Sequence, residues 1–142
     1  MNTLELIEPE TRALNGKNII RFPYGLLGFE RVKNYVLLSR RHEEPFSWLQ
    51  MLDEARHAFL VVSPFLVLGE YEPRITEEDV KFLELTVPTD ALLVNIVTLR
   101  GNGRATINLK GPVVINRLTM VGKQIIPDNA TQYSLNHPLP VT

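Results

Sequence analysis

The chain contains no cysteine. That absence excludes disulfides, thiolate catalysis and cysteine-ligated zinc, and it fits a reducing cytosol. Histidine is scarce: His42, His57 and His137 are the only three, at no spacing that suits a metal. Charge of one sign is missing too. Fifteen Lys and Arg stand against sixteen Asp and Glu, a formal net charge of -1, so no global field draws the chain to nucleic acid or an anionic membrane. No uninterrupted apolar run approaches the ~20 residues that cross a bilayer. Met1 to Glu8 carries acids where a secretory signal needs a basic start and a longer apolar core. The expectation is a soluble cytoplasmic chain with no membrane partner.

What is present reads as a β scaffold. The 142 residues are expected to form one domain spanning 1–142, a length that buries roughly 70% of the unfolded surface. A hydrophobic content of 44% with 22% charged residues is ordinary for a folded protein. Proline and glycine interrupt short pieces rich in Val, Ile, Leu, Thr and Phe, the pattern of an all-β, mostly antiparallel, barrel-like fold. Strands are expected near Thr3–Ile7, Lys17–Phe22, Asn34–Arg40, Phe46–Leu52, Ala58–Val62, Phe65–Tyr71, Leu92–Arg100, Ala105–Leu109, Val113–Asn116 and Gln124–Ile126. A further strand could form around Tyr133–Leu135. Arg100-Gly101-Asn102-Gly103-Arg104 is a hairpin, because glycine and asparagine tolerate the positive φ of a tight reversal.

One short helix is expected near 77–84. Thr76 can cap it, Glu77, Glu78 and Asp79 favour its positive end, and Ile75, Val80 and Leu83 form its apolar stripe. Pro88 prevents it from running on.

Catalytic constellations are weak. Ser39, Ser47, Ser63 and Ser134 lie in no nucleophile elbow. Adjacent acids such as Glu43 and Glu44 could converge with others for hydrolysis, but such pairs are more often solvated. His57 after Asp53 and Glu54 has the same bland reading. Gly25-Leu26-Leu27-Gly28 lacks the lysine of a phosphate loop and the polarity of an RNA clamp. It reads as a tight turn over a hydrophobic cluster flanked by Phe22 and Phe29. No catalytic residue, metal, cofactor or small-molecule substrate is therefore expected.

Charge is unevenly placed. Glu70, Glu72, Glu77, Glu78, Asp79 and Glu84 crowd one stretch against Arg74 and Lys81. Arg100, Arg104, Lys110, Arg117 and Lys123 occupy Ala91 to Pro127, which holds no acid. Both stretches read as solvated surface at their plainest. The sharper reading makes the acidic stretch a surface for a basic protein partner. The alternative is a direct RNA-binding β module using the basic 100–123 segment, although clustered bases interleaved with aromatics are lacking.

The ordered motifs resemble the flagellar assembly factor FliW family. Phe22-Pro23-Tyr24-Gly25-Leu26-Leu27-Gly28-Phe29-Glu30 is similar to that family's F-x-x-G-L-P-G-F-E opening, with Leu27 in place of proline. Pro45-Phe46-Ser47-Trp48-Leu49-Gln50 and Phe59-Leu60-Val61-Val62-Ser63-Pro64 follow in order. Met51 stands where serine is usual, and Ser63 where an acid or asparagine is common. Thr106-Ile107-Asn108-Leu109-Lys110-Gly111-Pro112 through Asn116, then Gly122-Lys123-Gln124-Ile125-Ile126, close the series. The resemblance implies a non-enzymatic cytoplasmic protein that binds flagellin before export and binds the translational repressor CsrA. It also implies a partner switch: the CsrA-bound state relieves repression of flagellin mRNA, and accumulated flagellin frees CsrA. Two contact regions are expected on physical grounds. The acids Glu70, Glu72, Glu77, Glu78 and Asp79 would meet a basic partner, and Phe22 and Phe29 would supply apolar anchors if they are not core.

Overall fold

Period-two alternation becomes nine strands in the computed structural model, which describes residues 19–52 and 57–139. They are β1 (Ile19–Arg21), β2 (Asn34–Ser39), β3 (Phe46–Met51), β4 (Ala58–Val62), β5 (Ala91–Gly101), β6 (Arg104–Ile107), β7 (Val113–Asn116), β8 (Gly122–Gln124) and β9 (His137–Leu139). Every ladder is antiparallel, in the order β1-β2-β3-β4-β5-β6-β9, with β7 pairing both β5 and β8. The long strand β5 changes neighbours along its length. Its first half, Ala91–Val94, pairs β7, and Val97 onward pairs β6.

The sheet curls without closing by a continuous ladder. Among the described residues its ends meet where the Arg21 N–H donates to the Met120 carbonyl (2.9 Å), beside an isolated parallel bridge from Arg21 to Val121. The all-β expectation holds, and the barrel stays open at that seam. Gly122 sits at the seam for a steric reason. A Cβ there would lie 2.5 Å from Phe22 Cε1, inside any tolerable contact.

Phe22, Ile20, Tyr35, Leu49, Met51, Val61, Val94, Val113 and Ile115 fill the space inside the curl. Phe22 meets Tyr35 edge to face, with centroids 5.2 Å apart. A second cluster of Val62, Tyr71, Val97, Ala105, Ile107, Leu109 and Leu139 lies under the β5–β6–β9 part. All four residues of β7 are buried, because helix α1 (Glu77–Phe82) and the residues after it cover the outer side. Leu83 packs there on Val114 and Ile125. A strand covered on both faces has no need to alternate, which accounts for the continuous Val113-Val114-Ile115 run.

The hairpin and the helix form as expected. Gly101, Asn102 and Gly103 adopt positive φ. Helix α1 ends at Phe82, well before Pro88, because Glu84 turns left-handed with φ 54°.

Three strand expectations fail. Phe65–Tyr71 is not a strand: Pro64 opens a 3-10 turn over Pro64–Leu66, the Leu68 N–H returns to the Pro64 carbonyl (2.9 Å), and the residues up to Tyr71 join no ladder. The C-terminal strand is His137–Leu139, whereas Tyr133–Leu135 stays outside any strand. β8 covers Gly122–Gln124, two residues earlier than the expected Gln124–Ile126. The strand expected at Thr3–Ile7 lies outside the described residues.

Candidate partner-binding face

Residues 70–74 form a strap held by the Asn129 and Tyr133 side chains and by the Asp128 N–H, which donates to the Arg74 carbonyl (2.9 Å). Asn129 Nδ2 donates to the Glu72 carbonyl (2.9 Å), and Asn129 Oδ1 accepts the Arg74 N–H (2.9 Å). One amide side chain thus plays the part of an adjacent strand. The Tyr133 hydroxyl accepts the Glu72 N–H (3.1 Å), and the Tyr133 ring packs edge-on against Tyr71 at 4.8 Å. Tyr71 points inward, donating to the Leu109 carbonyl (2.7 Å) and accepting from Asn95 (3.3 Å). With Tyr71 inside, its neighbours Glu70 and Glu72 face outward. Both are exposed and line an open cleft of about 530 Å³ with Arg74, Asn129, Gln132 and Tyr133.

Four residues farther on, Thr76 Oγ1 accepts the Asp79 N–H (3.1 Å) and caps α1 as its sequence suggests. Glu77 and Glu78 are exposed. Asp79 is not: at 6% exposure it turns inward and pairs with the Lys123 ammonium on β8. That ammonium also lies 5.3 Å from the Tyr24 ring centre and 5.5 Å from that of Phe82. Asp79 therefore ties helix to sheet, and the acidic surface consists of Glu70, Glu72, Glu77 and Glu78.

The two phenylalanines do not serve as exposed anchors. Phe22 is wholly buried, and half-buried Phe29 packs edge-on against Phe59 at 5.2 Å. The turn between them exposes other residues instead, Tyr24 at 60% and Leu27 at 64%. The Tyr24 ring packs against Phe82 at 5.1 Å. So the Gly25–Gly28 turn and the acidic helix, some fifty positions apart in the chain, form one continuous face around Lys123. Sequence reasoning placed the helix and the turn but not the contacts of Tyr24 with Phe82 and of Lys123 with Asp79 that join them. A usable signal existed in the two central leucines of a tight turn, since only one of them, Leu26, can point inward.

The turn is rigidly built. Gly25 has φ +66°, and a Cβ there would fall 2.5 Å from Glu30 Cα. Gln124 Oε1 accepts the Leu27 N–H (2.9 Å), Glu30 Oε2 accepts the Gly28 N–H (3.1 Å), and Lys33 Nζ donates to the Pro23 carbonyl (3.1 Å). The backbone amides of Glu30 and Gly28 hold the Glu30 carboxyl below its ordinary pKa.

The basic residues do not converge. Arg100 and Arg104 flank the β5–β6 hairpin, while Arg117 follows Asn116, which pairs with Ala91 at the other end of β5. At a strand's rise that is roughly 30 Å apart. Lys123 is committed to Asp79, and Lys110 donates to the Ala130 carbonyl. His42 lies in a 3-10 turn, His57 just before β4 and His137 on β9. Among the described residues no cluster of acids and histidines has the makings of a metal site, and no helix is long and apolar enough to cross a membrane.

Comparison with known proteins gives a consistent result. A model of the family described as FliW protein matches residues 7–139. The flagellar assembly factor FliW of Clostridium beijerinckii is 35% identical over 124 residues, covering 87% of this chain and 87% of that protein. The flagellar assembly factor FliW of Leptospira biflexa is 39% identical over 118 residues, covering 82% of this chain and 77% of its own length. A crystal structure of the flagellar assembly factor FliW superposes with a TM-score of 0.79 at 32% identity, over 87% of this chain and 86% of the other.

Proposed function

The chain belongs to the FliW family of flagellar assembly factors, and from that premise we propose that it is a non-enzymatic cytoplasmic regulator working by exchange between two protein partners. It binds the translational repressor CsrA and thereby relieves repression of flagellin mRNA. Accumulated flagellin captures it and returns CsrA to its mRNA. The observation that carries the reading is the outward placement of Glu70, Glu72, Glu77 and Glu78 on two adjoining segments of fixed conformation. Carboxylates held in place suit a protein that must engage the basic surface of an RNA binder, because ordering them consumes little further entropy. The dispersal of Arg100, Arg104, Lys110, Arg117 and Lys123 weighs against RNA as the direct partner, since a phosphate backbone needs several cations along one track.

The test is reconstituted translation of flagellin mRNA with CsrA from the same organism. Added protein should restore synthesis, and excess flagellin should cancel that effect. Synthesis that stays repressed at saturating protein would refute the proposal.

A further inference from the structure

We propose that the face around Tyr24, Leu27 and Phe82 is where a partner's bulky apolar residue seats, with Lys or Arg beside it meeting Glu77 and Glu78. The inference rests on the partner-exchange reading and names the chemistry of the segment that this face would accept.

Three observations carry it. First, Tyr24, Leu27 and Ile126 are each more than half exposed, and half-buried Phe82 joins Tyr24. Ile126 lies two residues beyond Gln124, whose side chain holds the Leu27 amide. Isolated exposed leucines need no explanation, but an aromatic and an aliphatic tip presented together are the material of a contact. Second, the presentation is rigid. Gln124, Glu30 and Lys33 staple the turn, so a partner would lose little entropy in docking against it.

Third, the helix side of the face is acidic. Asp79 neutralises Lys123. On the helix side Glu77, Glu78 and Glu84 are exposed with Lys81 as the cation, while on the turn side Glu30 stands with Arg31 and with Lys33, whose ammonium is held by the Pro23 and Glu30 carbonyls. Glu78 precedes Phe82 by four residues and so sits one helical turn from it on the same side. An apolar floor with an acidic margin fits a basic segment carrying an apolar anchor. A second copy of this chain fits poorly, because a twofold contact brings two acidic helices to one interface.

The test uses the full chain and fluorescently labelled CsrA, followed by anisotropy, with Leu27→Asp, Tyr24→Ser and the Glu77→Lys/Glu78→Lys pair compared with the unchanged protein. Unfolding curves check that each variant is folded. Both apolar variants should bind at least about tenfold more weakly, as loss of a central anchor does, and the charge-reversed pair should weaken binding and flatten its salt dependence. Full affinity in Leu27→Asp and Tyr24→Ser, with weakening in the charge pair alone, overturns the apolar seat and leaves the partner reading intact. Absence of CsrA binding by the unchanged protein removes both. A dimer that Leu27→Asp converts to monomer, seen by sedimentation, overturns the proposal in favour of self-association.

Discussion

Lys123 reaches the buried carboxylate of Asp79 beside the paired rings of Tyr24 and Phe82, joining the edge strand β8 to the first turn of the helix. The contact separates two kinds of acid that look alike in Glu77-Glu78-Asp79. Asp79→Lys leaves a cation facing a cation and should destabilise the fold by about 2–4 kcal/mol. Glu77→Lys and Glu78→Lys should each change stability by no more than about 0.5 kcal/mol. Urea unfolding of the three single variants measures the contrast.

Gly122 and Phe22 set a second prediction. Gly122→Ala pushes a methyl into the Phe22 ring and should cost about 1–3 kcal/mol, the usual range for overpacking. Pairing it with Phe22→Leu should recover part of that loss, whereas the two changes would add if the sites were independent. A double-mutant cycle on thermal unfolding decides.

The buried side chain of Asn116 connects α1 to the β7–β8 turn. Its Nδ2 donates to the Leu83 carbonyl (2.7 Å), and its Oδ1 accepts the N–H groups of Leu118 (2.8 Å) and Thr119 (3.1 Å). Asn116→Ala orphans these backbone groups, and each buried one adds a penalty of about 1–3 kcal/mol. The expected result is a marked fall in melting temperature. Hydrogen exchange should show the helix opening more readily than the β2–β3–β4 ladder.

Burial raises the Tyr71 phenol from its ordinary 10.0 to about 12, with the Asn95 hydrogen bond acting in the opposite direction. The folded state therefore holds its proton more tightly than the unfolded chain. Its contribution to stability is complete below pH 10 and is lost as pH climbs toward 12. Tyr71→Phe should be less stable at neutral pH, since the Leu109 carbonyl loses its donor. It should also lack this alkaline loss. Denaturation midpoints across that window, with phenolate absorbance alongside, provide the check.

Much of the sheet was legible in the sequence. Ala58–Val62 and Val113–Asn116 match their strands residue for residue, with Ser63-Pro64 closing the first and Gly111-Pro112 opening the second. Thr76 was legible as a cap since its chemistry is local. Phe65–Tyr71 misled because strand-forming side chains outvoted Pro64, whose ring suits the first position of a 3-10 turn. The strap that follows depends on Asn129 and Tyr133, more than fifty residues away, and no local pattern announces such a pairing. Asp79 misled for a similar reason: its partner, Lys123, lies forty-four positions on. The candidate face was legible as two fragments, and only the folded chain shows that Tyr24 and Phe82 make them neighbours.

The most direct measurement is a calorimetric titration of the intact protein with CsrA from the same organism, repeated after saturation with the matching flagellin. The account predicts saturable binding to CsrA that flagellin abolishes. Simultaneous binding of both partners, or binding to neither, would contradict it.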